Sequence, residues 1–174
     1  YGTVAYWEPP SSRASQHALM GHTTSILAAT VATDEDVMLT SASDGRVAIW
    51  SLAGRGPAAR SLPAVGEMTS VAVAADGSMV TGTVDGKLQR RDADGTLIGE
   101  AVTVGEGRIA DVVVTPDGST VGAVLWGGSA RVYRGKELRP VSPELKIGIF
   151  SSRASLSEDG RWFAVSQADA GCDP

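Results

Sequence analysis

Few residues of this chain have side chains that can act as nucleophiles, proton carriers or metal ligands. The 174 residues include two histidines, His17 and His22, and one cysteine, Cys172. Two histidines and a distant cysteine do not supply the four ligands of a structural zinc site. The acidic run at 34–36 lacks the ligand spacing of a calcium loop, so a solvated turn is the better interpretation. The sequence therefore predicts neither a metal nor a cofactor.

A hydrolytic site has equally little support. The chain contains no G-x-S-x-G elbow, and none of its glycines forms a phosphate-binding loop ahead of a helix. An enzyme would need several carboxylates or histidines at one place, and Asp44, Glu106 and Asp111 are the carboxylates to test. We predict a non-catalytic protein and keep a hydrolase-like or lactonase-like enzyme as the alternative.

The charge and hydropathy of the chain disfavour two classes of partner, nucleic acid and membrane. A net charge of −5 disfavours nucleic acid, whose non-specific binding depends on clustered Lys and Arg. The basic residues of 87–91 and 131–139 could form a stripe for an acidic partner, but exposed faces balanced by nearby acids are the favoured interpretation. No apolar run approaches the roughly 18 residues of a membrane helix. No disulfide can form within the chain and no signal peptide is visible, so we predict a cytoplasmic protein without a membrane partner.

A glycine turn followed by an alternating strand recurs along the chain. It occurs at Gly45 (DGRVAIW, 44–50), at Gly2, Gly86 and Gly128, and more weakly at Gly171, in steps of 43, 41, 42 and 43 residues. The fifth residue after Gly2, Gly45, Gly86 and Gly128 is Trp7, Trp50, Arg91 and Tyr133, respectively. Since Arg91 occupies a position that is otherwise aromatic, we expect it to snorkel or to pair with an acid such as Asp85 or Asp92.

A second series of turns has the same period. Asp-Gly pairs stand at 76–77, 117–118 and 159–160, with a degenerate copy at 34–35. Alternating runs precede and follow each pair, and further glycine turns separate two more strands in each unit. Period-two alternation with Gly and Asp at the turns is typical of short antiparallel strands. Four strands in about 42 residues is the size of one propeller blade.

The best-defined unit resembles a WD repeat. Gly21-His22 opens it, and Ile49-Trp50 closes its third strand. In that family a His, a Ser or Thr of the second strand, the turn Asp and the Trp form a buried hydrogen-bond chain. The resemblance implies that His22, Asp44 and Trp50 take these roles, with Ser41 or Ser43 as the hydroxyl. The segment 91–100 also resembles the closing strands of WD repeats in large bacterial signalling proteins.

The other units keep only part of this set. Asp85 is present in the second unit, but Ala64 stands at the His position. The third unit keeps Tyr133 and has Gly127 at the Asp position. Because a buried polar group without a partner is costly, we expect members of the chain to be lost together and these units to depend on apolar packing.

The resemblance implies an all-β propeller of about four blades with four antiparallel strands each. The predicted units are a partial blade (1–20), three blades (21–62, 63–104 and 105–146) and a second partial blade (147–174). The two partial blades could complete one another in a four-bladed ring, but an arc cut from a larger ring is preferred. Such an arc would expose blade edges, through which the chain could associate with itself.

The resemblance also implies an interaction platform for a protein or peptide. Its expected role is a scaffold or sensor within a larger bacterial signalling protein; twelve Arg against three Lys, with no Asn, also suggests GC-rich bacterial codons. Trp126 stands on a turn where smaller residues stand in the other units, with Arg108 and Glu106 on the adjoining turn. Trp and Arg are enriched at interface hot spots, so these three residues are the candidate contact face. The alternative is that Trp126 only covers the top of the core.

Overall fold

The computed structural model describes Val4 and residues 22–32, 37–52, 60–62, 66–147 and 150–168. This part of the chain contains fifteen β-strands and no helix. The strands form successive antiparallel sheets in sequence order, as short alternating runs separated by glycine turns should. The predicted all-β propeller arc is confirmed.

Two sheets hold four strands each and a third holds five, of which two share its outer position, while a fourth sheet holds two. Sheet 1 comprises β1 (Ile26–Ala32), β2 (Val37–Ala42), β3 (Val47–Ser51) and β4 (Arg60–Leu62). Sheet 2 comprises β5 (Met68–Val73), β6 (Met79–Thr83), β7 (Lys87–Arg91) and β8 (Leu97–Thr103). Sheet 3 comprises β9 (Ile109–Val114), β10 (Thr120–Leu125), β11 (Ser129–Arg134) and an outer position shared by β12 (Arg139–Pro140) and β13 (Leu145–Lys146). Sheet 4 comprises β14 (Phe150–Leu156) and β15 (Phe163–Ala168).

The register repeats from sheet to sheet. Trp50 lies opposite Met38, Arg91 opposite Met79, and Tyr133 opposite Val121. The three residues on the third strands are all at most 2 % exposed. They therefore occupy one equivalent buried position, as their fixed distance from the turn glycine predicts. Trp7, the other residue of this series, lies outside the described residues.

The turns require glycine for a steric reason as well as for their backbone angles. Gly86, in the turn between β6 and β7, has a φ of 75°. A Cβ atom there would lie 2.1 Å from the carbonyl oxygen of Gly105, in the segment that leads into sheet 3. The turn can thus approach the neighbouring segment only because it carries no side chain.

Apolar side chains hold the sheets face to face. Leu39, Val47 and Leu62 of sheet 1 form one cluster with Met68, Val71 and Met79 of sheet 2. A second cluster joins sheets 2 and 3 and includes Ala72, Val80, Leu88, Ile109, Val112 and Val121. On the far side of sheet 1, Met38, Ala48 and Trp50 pack with Val4 and Leu52. The stability of each sheet therefore depends on its neighbours, as in other repeat proteins.

The first strands of the sheets are the innermost. They contact one another in the order β1, β5, β9, β14 and together line a channel of about 480 Å³. Sheet 4 packs on sheet 3 through Phe163, whose ring lies where a side chain at Gly122 would be. This arrangement leaves the turns at the two ends of the strands as the natural contact surfaces.

Candidate functional site

The turns that follow the second strands line one face of the arc. Each is tied to the segment before the first strand of its own sheet by one backbone hydrogen bond. These bonds run from Ser43 N to Ser25 O (3.0 Å), from Val84 N to Glu67 O (2.9 Å) and from Trp126 N to Arg108 O (3.0 Å). We call this surface the turn face. The repeated bond shows that Ser43, Val84 and Trp126 are structurally equivalent.

Trp126 is partly open to solvent on the turn face. Its side chain is 43 % exposed, and the guanidinium carbon of Arg108 lies 5.1 Å from the centre of its ring. This is the distance of a cation–π contact, which holds the indole and the guanidinium together on the surface. The indole thus contributes to the surface as well as to the cover of the core.

Arg108 and Glu106 lie on the adjoining segment, and both are exposed. Within the described part of the chain, no carboxylate lies within ion-pair distance of the Arg108 guanidinium. Stacking on an indole leaves the N–H groups at the edge of a guanidinium available to an acceptor. The pair therefore offers an apolar surface beside a cationic hydrogen-bond donor.

Sheet 1 contains a buried polar chain that joins its first residues to its third strand. The hydroxyl oxygen of Thr40 accepts a hydrogen bond from Trp50 Nε1 at 2.8 Å and lies 2.7 Å from His22 Nε2. His22 Nδ1 lies 3.9 Å from a carboxylate oxygen of Asp44. The hydroxyl has one proton to donate, so Thr40 donates to Nε2 and the His22 proton sits on Nδ1, which faces Asp44 at 3.9 Å, beyond hydrogen-bond distance.

The hydroxyl in this chain differs from the one expected from sequence. Thr40 makes both contacts, whereas the hydroxyl of Ser41 is buried and has no hydrogen-bond partner within the described part of the chain. Adjacent strand residues point to opposite faces, and only Thr40 lies on the face that carries His22 and Trp50. The pairing of β2 with β3 puts Met38 opposite Trp50 and Thr40 opposite Ala48, so Thr40 and not Ser41 lies on the Trp50 face of β2.

Arg91 takes the position of the tryptophan in sheet 2. It is 2 % exposed and donates to the carbonyl oxygen of Gly95 at 2.8 Å, so it does not snorkel to solvent. Burial lowers the pKa of its guanidinium. Asp85, proposed as its partner from sequence, accepts hydrogen bonds from Lys87 and Thr83.

Arg90 also differs from its expected surface position. It is 4 % exposed and joins two sheets, because its guanidinium donates to Gly118 O of sheet 3 at 2.7 Å and to Ser78 Oγ of sheet 2 at 3.2 Å. The basic stripe across sheets 2 and 3, the alternative raised from sequence, is therefore interrupted at Arg90, and so is the favoured interpretation of an exposed face there. The alternation of 87–91 placed Arg90 outside, but the close approach of the next turn covers it.

Asp111 sits at the channel, where its carboxylate joins three sheets. It accepts hydrogen bonds from the Ser70 hydroxyl of sheet 2 at 3.4 Å and from the backbone N–H of Ala154 of sheet 4 at 2.8 Å. The sequence marked Asp111 only as a carboxylate to test for catalysis. No local pattern indicates this bridging position, which depends on how three sheets meet.

Two further observations concern metals and membranes. Within the residues that the structure describes, no three His, Cys, Asp or Glu side chains are grouped so that they could hold a metal ion. The same residues contain no helix of the length and apolarity that a bilayer crossing requires.

Comparison with known proteins bears on the first complete unit. Residues 13–51 match the family model described as "WD domain, G-beta repeat", which includes the segment with His22, Thr40 and Trp50. None of the curated proteins compared with the chain matches it. A WD40 repeat supports a general role as a scaffold for protein–protein contacts, and such repeats are typically non-catalytic. One segment of the chain therefore matches a WD repeat, and the described strands form successive antiparallel sheets consistent with a β-propeller arc.

Proposed function

We propose that this chain is a non-catalytic scaffold or sensor module of a larger bacterial signalling protein, and that it binds a protein or peptide on its turn face through Trp126, Arg108 and Glu106. The observation that carries the proposal is the exposed indole of Trp126 with the Arg108 guanidinium stacked on it at 5.1 Å. At the equivalent positions of sheets 1 and 2 the side chains are Ser43 and Val84. Sheet 3 thus offers a contact that its neighbours do not.

The chemistry of this pair favours an acidic segment with an apolar side chain beside the charge. A partner carboxylate can accept hydrogen bonds from the guanidinium edge, while the apolar group covers the indole. Glu106, two residues from Arg108, would disfavour segments that carry a second negative charge on its side. Charged groups arranged in this way contribute more to specificity and association rate than to affinity.

The enzyme alternative has no observation in its favour. Asp44 lies beside His22 in sheet 1, Glu106 is exposed on the turn face, and Asp111 accepts hydrogen bonds from two neighbouring sheets. These carboxylates occupy three different environments. A hydrolase panel with Asp44→Asn, Glu106→Gln and Asp111→Asn variants tests the alternative: activity that one variant abolishes would establish it.

We propose the units 21–62, 63–104 and 105–146 as blades, with partial blades at 1–20 and 147–174. Support comes from the strands themselves, since each of sheets 1 to 3 lies within one unit. The cytoplasmic location and the bacterial signalling parent remain predictions from sequence.

A peptide selection tests the binding site. A displayed random-peptide library is selected on the whole chain, and the enriched peptides are measured by fluorescence anisotropy against variants. We expect acidic peptides with an apolar neighbour, and at least about tenfold weaker binding to Trp126→Val, which carries the residue of sheet 2, and to Arg108→Gln. Trp162→Ser, which removes another exposed tryptophan, is the matched control and should bind as the wild type does. Selected peptides that bind Trp126→Val and the wild type equally would overturn the proposal.

A further inference from the structure

Val84, in the turn between β6 and β7, is a second apolar side chain on the turn face. It is 43 % exposed, as Trp126 is. The two residues are structurally equivalent, because each donates its backbone N–H to the segment before the first strand of its own sheet. In sheet 1 the same position holds Ser43. Within the described part of the chain, sheets 2 and 3 are therefore the neighbouring sheets that both present an apolar residue here.

The segment 104–108 joins the two turns that carry these apolar residues. Its first residue donates an N–H to Gly86 O at 2.9 Å, and its last accepts a hydrogen bond from Trp126 N at 3.0 Å. Gly86 belongs to the turn that begins at Val84. Hydrogen bonds thus fix both ends of the segment, and the two turns with the segment between them form one continuous surface.

Glycines lie beside Trp126 and in the segment that leads to it. Gly107 and Gly127 are both exposed, and a Cβ atom at either position would meet nothing within 4 Å. Gly107 has a φ of 94°, in the region that favours glycine. Bare backbone lets another chain approach closely. This part of the surface can therefore receive the backbone of an extended segment.

The charges on this surface differ from one end to the other. Arg108 stacks on Trp126, whereas the segment that bonds to the backbone of Val84 carries Glu67, which is exposed. Asp85, next to the valine, is already in an ion pair. A partner carboxylate is thus attracted at the Trp126 end and repelled at the Val84 end. Charge complementarity therefore gives a bound segment a direction.

We propose that the partner on the turn face is an extended peptide with two apolar anchors, one against Trp126 and one against Val84, and with its acidic residue beside the first anchor. This inference rests on the proposed function. Sheets packed face to face lie about 10 Å apart, and an extended chain rises about 3.3 Å per residue. The two anchors should therefore stand about three residues apart. A helical segment, which rises about 1.5 Å per residue, would need about seven.

A displayed peptide library of defined spacing tests this inference. Each member carries one glutamate–phenylalanine pair in a glycine–serine background, and a single leucine stands at every separation up to about eight residues from the phenylalanine. After selection on the whole chain, members with the leucine about three residues away should be enriched at least about fivefold over the others. Enrichment that peaks near seven residues, or that does not depend on the separation, would overturn the extended peptide.

The most enriched member, labelled with fluorescein, is then titrated by fluorescence anisotropy. Val84→Ser carries the residue of sheet 1 and should bind it at least about fivefold more weakly than the wild type does. Val141→Ser is the matched control and should bind as the wild type does, because Val141 is 53 % exposed and follows β12 at the outer edge of sheet 3. Equal binding by Val84→Ser and the wild type would overturn the second anchor.

A change in the peptide tests the direction that the charges impose. Moving the glutamate from the phenylalanine to the leucine should weaken binding to the wild-type chain, and Glu67→Gln should recover part of that loss. A moved glutamate that binds equally well would contradict the assigned direction and overturn this part of the inference.

The outcomes separate this inference from the binding site on which it rests. Binding that Trp126→Val weakens and Val84→Ser leaves unchanged would remove the second anchor and retain the site at Trp126 and Arg108. Binding that neither variant weakens, or a library from which nothing is enriched, would overturn both.

Discussion

Sheets 1 and 2 share a backbone register but use different interactions at the same position. In sheet 1, Thr40 bonds the rings of His22 and Trp50. In sheet 2, Thr81 stands at the equivalent position, one step of 41 residues on, and its buried hydroxyl has no hydrogen-bond partner within the described part of the chain. Arg91 replaces the tryptophan and bonds Gly95 O.

The comparison shows that sheet 2 has not lost all members of the hydrogen-bond network found in sheet 1. We expected its members to disappear together, but Thr81 and Asp85 are both present in sheet 2. Asp85 has acquired Thr83 and Lys87 as partners, while Thr81 has acquired none among the described residues. A buried hydroxyl is a smaller penalty than a buried charge, so packing between sheets can tolerate it.

The largest expected effect is that of Thr40→Val. The substitution preserves shape but leaves His22 and the indole N–H of Trp50 buried without their partner. We expect a loss of about 2–4 kcal/mol in the free energy of unfolding, the cost of two unsatisfied buried groups. Urea denaturation followed by tryptophan fluorescence measures it. A loss below about 0.5 kcal/mol would show that the buried hydrogen-bond network of sheet 1 contributes no more to stability than the apolar packing of sheet 2.

Thr81→Val should have the opposite sign. The same substitution in sheet 2 removes a buried hydroxyl that has no partner within the described residues, and an apolar group of equal shape can replace it. We expect the free energy of unfolding to rise by up to about 1 kcal/mol, measured in the same urea titration. A loss comparable to that of Thr40→Val would mean that the hydroxyl of Thr81 has a partner and that the two sheets are alike.

Ser41→Ala separates the two hydroxyls that sequence alone could not. Ser41 is adjacent to Thr40, but its hydroxyl contacts no partner within the described part of the chain. We expect a change within about 0.5 kcal/mol of zero in the free energy of unfolding. A large loss of unfolding free energy for Ser41→Ala, with a small one for Thr40→Val, would mean that Ser41 supplies the hydroxyl of the buried hydrogen-bond network in sheet 1.

The smallest effect concerns the turn carboxylate of sheet 2 and appears only in acid. Hydrogen bonds from Lys87 and from the Thr83 hydroxyl hold the pKa of Asp85 below its ordinary 3.8. A lowered folded-state pKa stabilises the protein above the unfolded value and loses that stabilisation as the pH falls through the folded value. Melting temperatures measured from pH 6 to pH 2.5 should therefore fall slightly less for Asp85→Asn than for the wild type. A melting temperature that falls more steeply with decreasing pH in Asp85→Asn than in the wild type would contradict this expectation.

The sequence by itself determined the repeat and much of the local structure. Two series of turns with one period gave the strand pattern, and the fixed offset from the glycine placed Trp50, Arg91 and Tyr133 in one register. These features are local, since turn conformations and the period-two alternation depend on neighbouring residues. The resemblance to a WD repeat, which rested on one unit, predicted that His22, Asp44 and Trp50 lie close together. The structure brings these three residues together.

Only the tertiary structure decided which polar side chains are buried and which residues of other strands and sheets they contact. The pairing of β2 with β3 put Thr40 and not Ser41 on the face of Trp50, and the first turn of sheet 3 buried Arg90. The meeting of three sheets placed Asp111 between Ser70 and Ala154. Contacts between residues forty positions apart depend on how sheets stack, which neither composition nor spacing records.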